Sequence, residues 1–491
     1  MGEKSFTCLA LSNPIGYERQ RVSRALGGGA FAIAAVTAPS LRRTRRRTPA
    51  RGAIARRLAG TVALATAAQA AEASGFYLTQ QSVPGVGRAT AGQVAVAEDA
   101  STVVSNPAGM TELGGAQVLA GVSVLLPKTS FDDRGSSAGT PGTGGGDVAY
   151  GGGSGGNPFG PEAPPHAYAA LPVGAGSDLW LGIGIATPFG LSLDYGSDWF
   201  GRYDSIESSL ATVDVAMAVA YRVMDGLSVG GGVNVQSLDV RLTSAIPDTL
   251  AAGGPTAATD GRSVLRGDDV SVGFNAGILA EPVAGTRIGI HYRSAITHTL
   301  KGRVKTSGLG GPLADANGSA DARADIRLPD IVSAGVAQAV GPRLTLLGEA
   351  QWFNWSRFGE VRVRLRDGGG EQVLPQDYED AWAVAVGGEY RCSDDLDLRA
   401  GLRYETTPTS DRFRSTGVPE GNNFSAGVGL SYRVAGGMVV DLAAFHTRAR
   451  AGNVSLSRTF FEGTPAEGTV EVKGRARTHA TTAALGLRYR F

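Results

Sequence analysis

The chain has 491 residues, 46 Lys+Arg against 45 Asp+Glu, and 72 glycines, about double the usual share, with no collagen period. Two cysteines, Cys8 and Cys392, exclude a disulfide framework and a cysteine-based metal site. No run of about 18 apolar residues follows Ala73, which excludes a helical membrane span but not a β-barrel, whose apolar faces are diluted by alternation.

The charge is divided along the chain. Residues 1–73 carry 12 Lys+Arg against 3 Asp+Glu, and the remainder carries 34 against 42. A basic leader ahead of an acidic body points to export and away from nucleic acid. Arg24 to Ser40 is mildly apolar and precedes a basic cluster, Arg42 to Arg47. Arg56-Arg57, the apolar run Leu58 to Ala65, and small-residue sites at Ala68-Gln69-Ala70 or Ala71-Glu72-Ala73 follow in the order of a signal peptide. The expected domain plan is a leader over 1–73 with its signal peptide at about 51–73, a small segment over 74–115, and a barrel over 116–491.

Residues 74–110 read as neither a strand nor a sustained helix. Small residues dominate, and Asn106-Pro107-Ala108-Gly109 closes the stretch with turn chemistry. Such a glycine-rich piece must rest against something larger. Gly75-Phe76, Gly85-Val86-Gly87-Arg88-Ala89, Gly92, Ala97-Glu98-Asp99-Ala100 and Asn106-Pro107-Ala108 stand in order behind the signal segment. Together they resemble the N-terminal plug of the long-chain fatty acid outer-membrane transporters (FadL/TodX type). Pro107 fixes φ and restricts Asn106 to extended geometry, which suits holding a plug at one position. Glu98 and Asp99 are candidate anchors to inward arginines such as Arg399 or Arg403.

Beyond Gly115, alternation takes over. Leu396, Leu398, Ala400, Leu402 and Tyr404 oppose Asp397, Arg399, Gly401 and Arg403; Leu485, Leu487, Tyr489 and Phe491 oppose Gly486, Arg488 and Arg490. Ile288, Ile290 and Tyr292 repeat the pattern. A period of two over such lengths requires strands. Arginine on the polar face and aromatics at strand ends favour apolar side chains turned to lipid over a soluble sandwich. Leu398, Leu402, Leu485 and Leu487 are expected to face lipid. Arg399 and Arg488 are expected to face a wet interior, where substitution is the milder change.

Short links occur at 173–178, 224–226, 282–286, 341–342, 393–394 and 435–437, and longer polar stretches near 132–165, 188–212, 245–267, 306–322, 367–375, 408–419 and 456–469. Six short turns alternating with seven long loops predict an all-β fold, a 14-stranded antiparallel transmembrane β-barrel with the N-terminal plug inside the lumen. The first loop holds GGG twice and reads as a flexible, solvated linker. The terminal aromatic of Tyr489-Arg490-Phe491 resembles the signal read by bacterial barrel-assembly machinery.

Catalytic and metal motifs are missing from the sequence. The five histidines, His166, His291, His298, His446 and His479, show no ligand spacing, no GxSxG elbow occurs, and the glycine runs lack a phosphate-loop context. His291 and His298 read as polar lumen or rim residues. The expectation is a non-enzyme with no catalytic residue, metal or cofactor.

The resemblance extends to Thr187-Pro188-Phe189-Gly190-Leu191, Trp199-Phe200-Gly201-Arg202-Tyr203, Leu328-Pro329-Asp330 with Glu349, Trp352, Trp355 and Phe358, and Tyr378 to Trp382. It reaches Thr407-Pro408-Thr409 with Arg412, Arg414, Ser415 and Pro419, covering roughly 74–491. It implies passive uptake of long-chain fatty acids or aromatic hydrocarbons across the bacterial outer membrane. Ligand would be caught among external loops, pass to a barrel pocket, and leave sideways beside a kinked strand once the plug shifts. It implies a plug or gate built on Phe76, Gly85, Gly87, Arg88, Asp99, Asn106, Pro107 and Ala108. The substrate-binding candidates are Phe189, Phe200, Arg202, Arg241, Leu250 and Leu309. Implied partners are hydrophobic small molecules, detergent included, outer-membrane lipid, and the assembly machinery during biogenesis, with no nucleic acid and a monomeric state.

Two departures stand out. The capture loops hold few bulky residues (Ile246, Leu250, Leu309, Leu313), and the resemblance implies Ser244 and Glu379 as counterparts of the basic side chains that meet the carboxylate in the fatty acid members. Arg241 and Arg202 are candidate substitutes, though each also reads as a solvated lumen arginine. These departures favour an uncharged hydrocarbon. The competing readings are a structural or adhesive surface barrel, and an outer-membrane hydrolase assembled across strands.

Overall fold

A computed structural model describes residues 75–366, 371–419 and 421–491; the expected signal peptide and its cleavage site lie outside them. We number the barrel strands β1 (Gln117–Asp133), β2 (Pro165–Pro172), β3 (Leu179–Ala186, then Gly190–Asp194), β4 (Glu207–Met224), β5 (Leu227–Ile246), β6 (Gly261–Val283) and β7 (Thr286–Arg293, then Ile296–Ser307). The second half is β8 (Gly318–Leu328, then Ile331–Val340), β9 (Leu344–Phe353, then Glu360–Leu365), β10 (Glu371–Pro375, then Ala381–Arg391) and β11 (Leu396–Glu405). It ends with β12 (Asn423–Arg433), β13 (Met438–Ala449, then Gly452–Phe460) and β14 (Gly468–Arg490). Sequence neighbours pair antiparallel throughout, and β1 pairs β14 from Gln117↔Arg490 to Asp133↔Gly474. That last ladder closes a 14-stranded barrel and removes the unpaired edges of an open sheet.

Alternation sorts the side chains. Leu398 and Leu485 are 42% and 47% exposed on the outer wall, with Leu402 and Leu487 alike, while Arg399, Arg403 and Arg488 are buried inside. An outward apolar face over an inward charged one is the pattern a bilayer imposes on a closed sheet. The six short turns lie at one end and the long loops at the other.

The loops are shorter than their polarity suggests. β5 and β6 stay paired up to Ile246↔Gly261, and β7 and β8 up to Thr306↔Gly318, so the loops shrink from 245–267 and 306–322 to 247–260 and 308–317. Above the membrane both strand faces meet water or loops, so polar composition no longer marks the end of pairing. The first loop is likewise not a free linker. Ser137–Gly139 adds to β14, the Gly153 amide donates to the Asp198 carbonyl at 3.0 Å, and Phe159 is buried.

Residues 75–113 touch the wall from every side. A Cβ at Gly401 of β11 would lie 1.9 Å from the Arg88 carbonyl oxygen, one at Gly289 of β7 would lie 2.0 Å from that of Val94, and one at Gly277 of β6 would lie 2.0 Å from Asn106 Oδ1. Val83 packs on Gly486 of β14, and Ala108 on Gly230 of β5. A segment that meets β5, β6, β7, β11 and β14 of a closed wall sits in its lumen. Many of the chain's glycines serve this close approach, where any side chain would hold the segment away.

Candidate functional site

The lumenal segment is a series of single turns. Val83–Gly87, Gln93–Val96 and Thr102–Ser105 are helical, and Pro107–Glu112 is a 3-10 turn. Ser82 caps the first, with the Gly85 amide donating to its Oγ at 3.3 Å. Gly92 and Ala97 lie in the left-handed region, which stops the second turn at both ends. Asn106 joins three pieces: Nδ2 donates to the Val94 carbonyl at 2.7 Å and the Ile278 carbonyl at 3.1 Å, and Oδ1 accepts from the Ala108 amide at 3.2 Å. Pro107 follows without a donor that would need a partner.

Charge ties the segment to the wall. Arg88 pairs with Glu98 and, at 2.9 Å, with Glu389 of β10. Glu98 also accepts from Arg399 at 2.6 Å, and Arg399 returns to Glu389 at 2.8 Å. Asp99 does not reach Arg399 or Arg403. It accepts from the Ser101 amide at 2.9 Å and stands 4.0 Å from Arg488. Arg403 serves Glu405, Thr90 and Gln351, at 2.7, 2.7 and 2.8 Å. The wet interior expected around Arg399 and Arg488 is therefore corrected: both are buried in ion pairs, Arg488 with Asp441 at 2.6 Å.

Above the segment lies an apolar cluster. Phe76 meets Phe189, Trp355 and Phe358 edge-on at 5.7, 4.9 and 6.0 Å between ring centroids. Phe200 belongs to a second aromatic group with Phe131, Trp199 and Tyr195, in which Tyr195 stacks on Trp199 at 3.7 Å. Leu309 is buried in the same cluster, and Leu250 is half-buried against it. Of the candidate binding residues, the structure thus gathers Phe189, Phe200, Leu250 and Leu309.

Of the two arginines, Arg202 lies over the Tyr203 and Tyr150 rings at the edge of that cluster, 4.4 and 4.9 Å from their centroids. Arg202 is buried, not solvated, and its nitrogens donate to Asp260 at 2.8 Å, the Gly151 carbonyl at 3.0 Å and the Tyr203 hydroxyl at 2.7 Å. Burial pushes the Asp260 carboxyl up against the opposing pull of Arg202. Arg241 forms a partly exposed pair with Glu207 at 2.9 Å. His298 bridges Asp269 and Gln236 at 3.2 Å each. Sequence reading missed Asp204, buried at the centre of the loop cap, which accepts from the Thr416 amide and hydroxyl at 2.7 Å and pairs with Arg458. Nothing in the local sequence signals a contact spanning 212 positions.

The wall itself is broken beside this cluster. The β1–β2 ladder ends at Val122↔Pro165 and the β2–β3 ladder at Ala167↔Ile185, while β1 runs on to Asp133, met on that side by the isolated bridge Leu125↔Glu162 and by the Asn157 side chain at Pro127 and Thr129. β3 is interrupted between Ala186 and Gly190. The start of the lumenal segment fills the interruption. Leu78 donates to the Pro188 carbonyl at 2.8 Å, Gly190 donates to the Phe76 carbonyl at 3.1 Å, and Tyr77 bridges Phe189. A cavity of about 300 Å³ lies there between Leu78, Leu125, Phe159, Pro164, Leu191 and Leu210.

Comparison with known proteins places this arrangement. Residues 64–491 match the family described as outer membrane protein transport protein (OMPP1/FadL/TodX). Outer membrane protein P1 of Haemophilus influenzae is 26% identical over 457 residues, covering 87% of this chain and 98% of that protein. The long-chain fatty acid transport protein of Escherichia coli is 23% identical over 432 residues, covering 82% and 94%. Among solved structures, a Pseudomonas aeruginosa FadL homologue shares the fold with a TM-score of 0.76 at 22% identity, covering 85% of this chain and all of that one. The Pseudomonas putida toluene transporter TodX gives a TM-score of 0.62 at 16% identity, covering 85% and 99%.

Proposed function

The chain belongs to the OMPP1/FadL/TodX family of outer membrane transport proteins, and on that premise we propose that it admits hydrophobic molecules through the outer membrane. The substrates are long-chain fatty acids or aromatic hydrocarbons, and the protein acts as a monomeric channel, not an enzyme or adhesin. The lumenal segment is its gate. The supporting observation is the seam at Phe76–Leu78, where backbone hydrogen bonds from the segment close the break in β3 beside an apolar cavity. Movement of that seam opens a sideways path from the cavity to the bilayer. An apolar solute gains about 25 cal/mol per Å² buried on entering such a cavity, which a water-filled pore does not offer.

Phe189 and Phe200 are proposed to line the route, with Leu250 and Leu309 at its mouth. Arg202 and Arg241 are already engaged by Asp260 and Glu207, which supports an uncharged hydrocarbon over a carboxylate. The seam provides the test. Bridged antiparallel residues stand about 4.5–5.5 Å apart at Cα, within disulfide range. In a Cys392→Ser background, Tyr77→Cys with Phe189→Cys should abolish uptake of labelled toluene and oleate when oxidised and regain it on reduction. Full uptake by completely cross-linked protein would refute the gate.

A further inference from the structure

Two exposed aromatic rows mark the barrel's outer wall. On β10, Tyr390 and Trp382 are eight residues apart, and on β12 Tyr432 and Phe424 repeat the interval. Eight residues rise about 27 Å along a strand. At a tilt of 35–45° that spans about 20 Å of bilayer, so the rows mark its two interfaces. On β14 the inner row is Tyr489, and the same interval puts the outer boundary at Thr481.

Just beyond that boundary the aromatic row gives way to basic side chains. His479, Arg477 and Arg475 are exposed on β14, and register places Arg448 of β13 and Lys128 of β1 on either side of His479. These residues and His446 line a groove of about 880 Å³, bordered by Ser154, Gly156 and Asn157 of the first loop. Arg477 shares Asp132 at 2.8 Å, but among the described residues no carboxylate lies within 4.0 Å of Lys128, Arg448 or Arg475. Elsewhere on the outer wall several cations are paired, Arg303 with Asp321, Arg362 with Glu360, and Arg364 with Asp325 and Glu371, while the exposed Lys301, Arg323 and Arg327 of β7 and β8 are not among them.

We propose that this groove binds the phosphates of the phosphorylated glycolipid of the outer leaflet, lipopolysaccharide. Its position outside the barrel and at headgroup depth excludes a solute in transit through the lumen. At the edge of a low-dielectric layer, several unpaired cations converge where lipid A carries its phosphates, and charge-assisted bonds are strong there. The lipid binds as a lasting neighbour on β13, β14 and β1, next to the β1 edge of the wall break.

The test uses full-length protein in detergent, titrated with bisphosphorylated lipid A, dephosphorylated lipid A and phosphatidylglycerol, with bound lipid read by native mass spectrometry. Wild-type protein should bind bisphosphorylated lipid A at least tenfold more tightly than either other lipid. The triple variant Lys128→Gln, Arg448→Gln, Arg475→Gln should lose that preference. A control triple on β7 and β8, Lys301→Gln, Arg323→Gln, Arg327→Gln, should keep it. Equal binding of phosphorylated and dephosphorylated lipid A by wild-type protein would overturn the proposal, and this comparison needs no variant to fold. Unchanged binding by the first triple would overturn it too, as would phosphatidylglycerol matching lipid A.

Discussion

Glu98 in the lumen accepts a hydrogen bond from Arg399 of β11 at 2.6 Å, joining positions 301 apart. Removing the carboxylate by Glu98→Ala leaves Arg88 and Arg399 sharing Glu389 as their ion-pair partner in a mostly dry site. Breaking a buried pair from one side costs about 3–5 kcal/mol. Hydrogen exchange should show amides of residues 83–113 losing protection, while the barrel ladders keep theirs. Unaltered exchange in 83–113 would show that charge does not hold the segment.

Gly401 tests the same contact through volume. A Cβ there would stand 1.9 Å from the Arg88 carbonyl oxygen, with backbone and not a flexible tip in the way. Gly401→Ala should displace the first lumenal turn at a cost of about 1–3 kcal/mol. Protease accessibility near Arg88 should rise in a barrel that still shows its usual heat-dependent shift on a gel.

Leu485 lies midway between Tyr489 and Thr481, at the membrane midplane of β14, and Leu485→Arg should cost roughly 2–4 kcal/mol in a bilayer folding assay. Arg399→Leu, expected from alternation alone to be the milder change, should cost as much, because it takes a buried cation from both Glu98 and Glu389 and leaves them sharing Arg88. A markedly smaller loss for Arg399→Leu would mean that water reaches those carboxylates.

Asn106 and Pro107 test the gate. Replacing both by alanine removes the bonds to the Val94 and Ile278 carbonyls and frees the backbone turn. Each buried acceptor left unpaired costs about 1–3 kcal/mol. With surface levels matched, uptake of labelled oleate and toluene should rise as the segment loosens. A small hydrophilic sugar serves as the porin control. Unchanged entry of both apolar probes would remove the segment from the mechanism, and a rise in sugar alone would make the protein a blocked porin.

What the sequence determined by itself is the wall. A period of two is a property of each strand's own backbone, so Leu398, Leu402, Leu485 and Leu487 announce a lipid face without reference to any partner. Turn chemistry spaced between such runs sets the number of strands for the same local reason. Only the tertiary structure decided what the inward residues do. Arg399 looks like any lumen arginine until closure brings Glu98 against it, and Arg202 looks free until the next loop supplies Asp260. The wall break likewise depends on where the ladders of β2 stop, which is a relation between strands. Register and closure join positions hundreds of residues apart, and no spacing within a single strand carries that information.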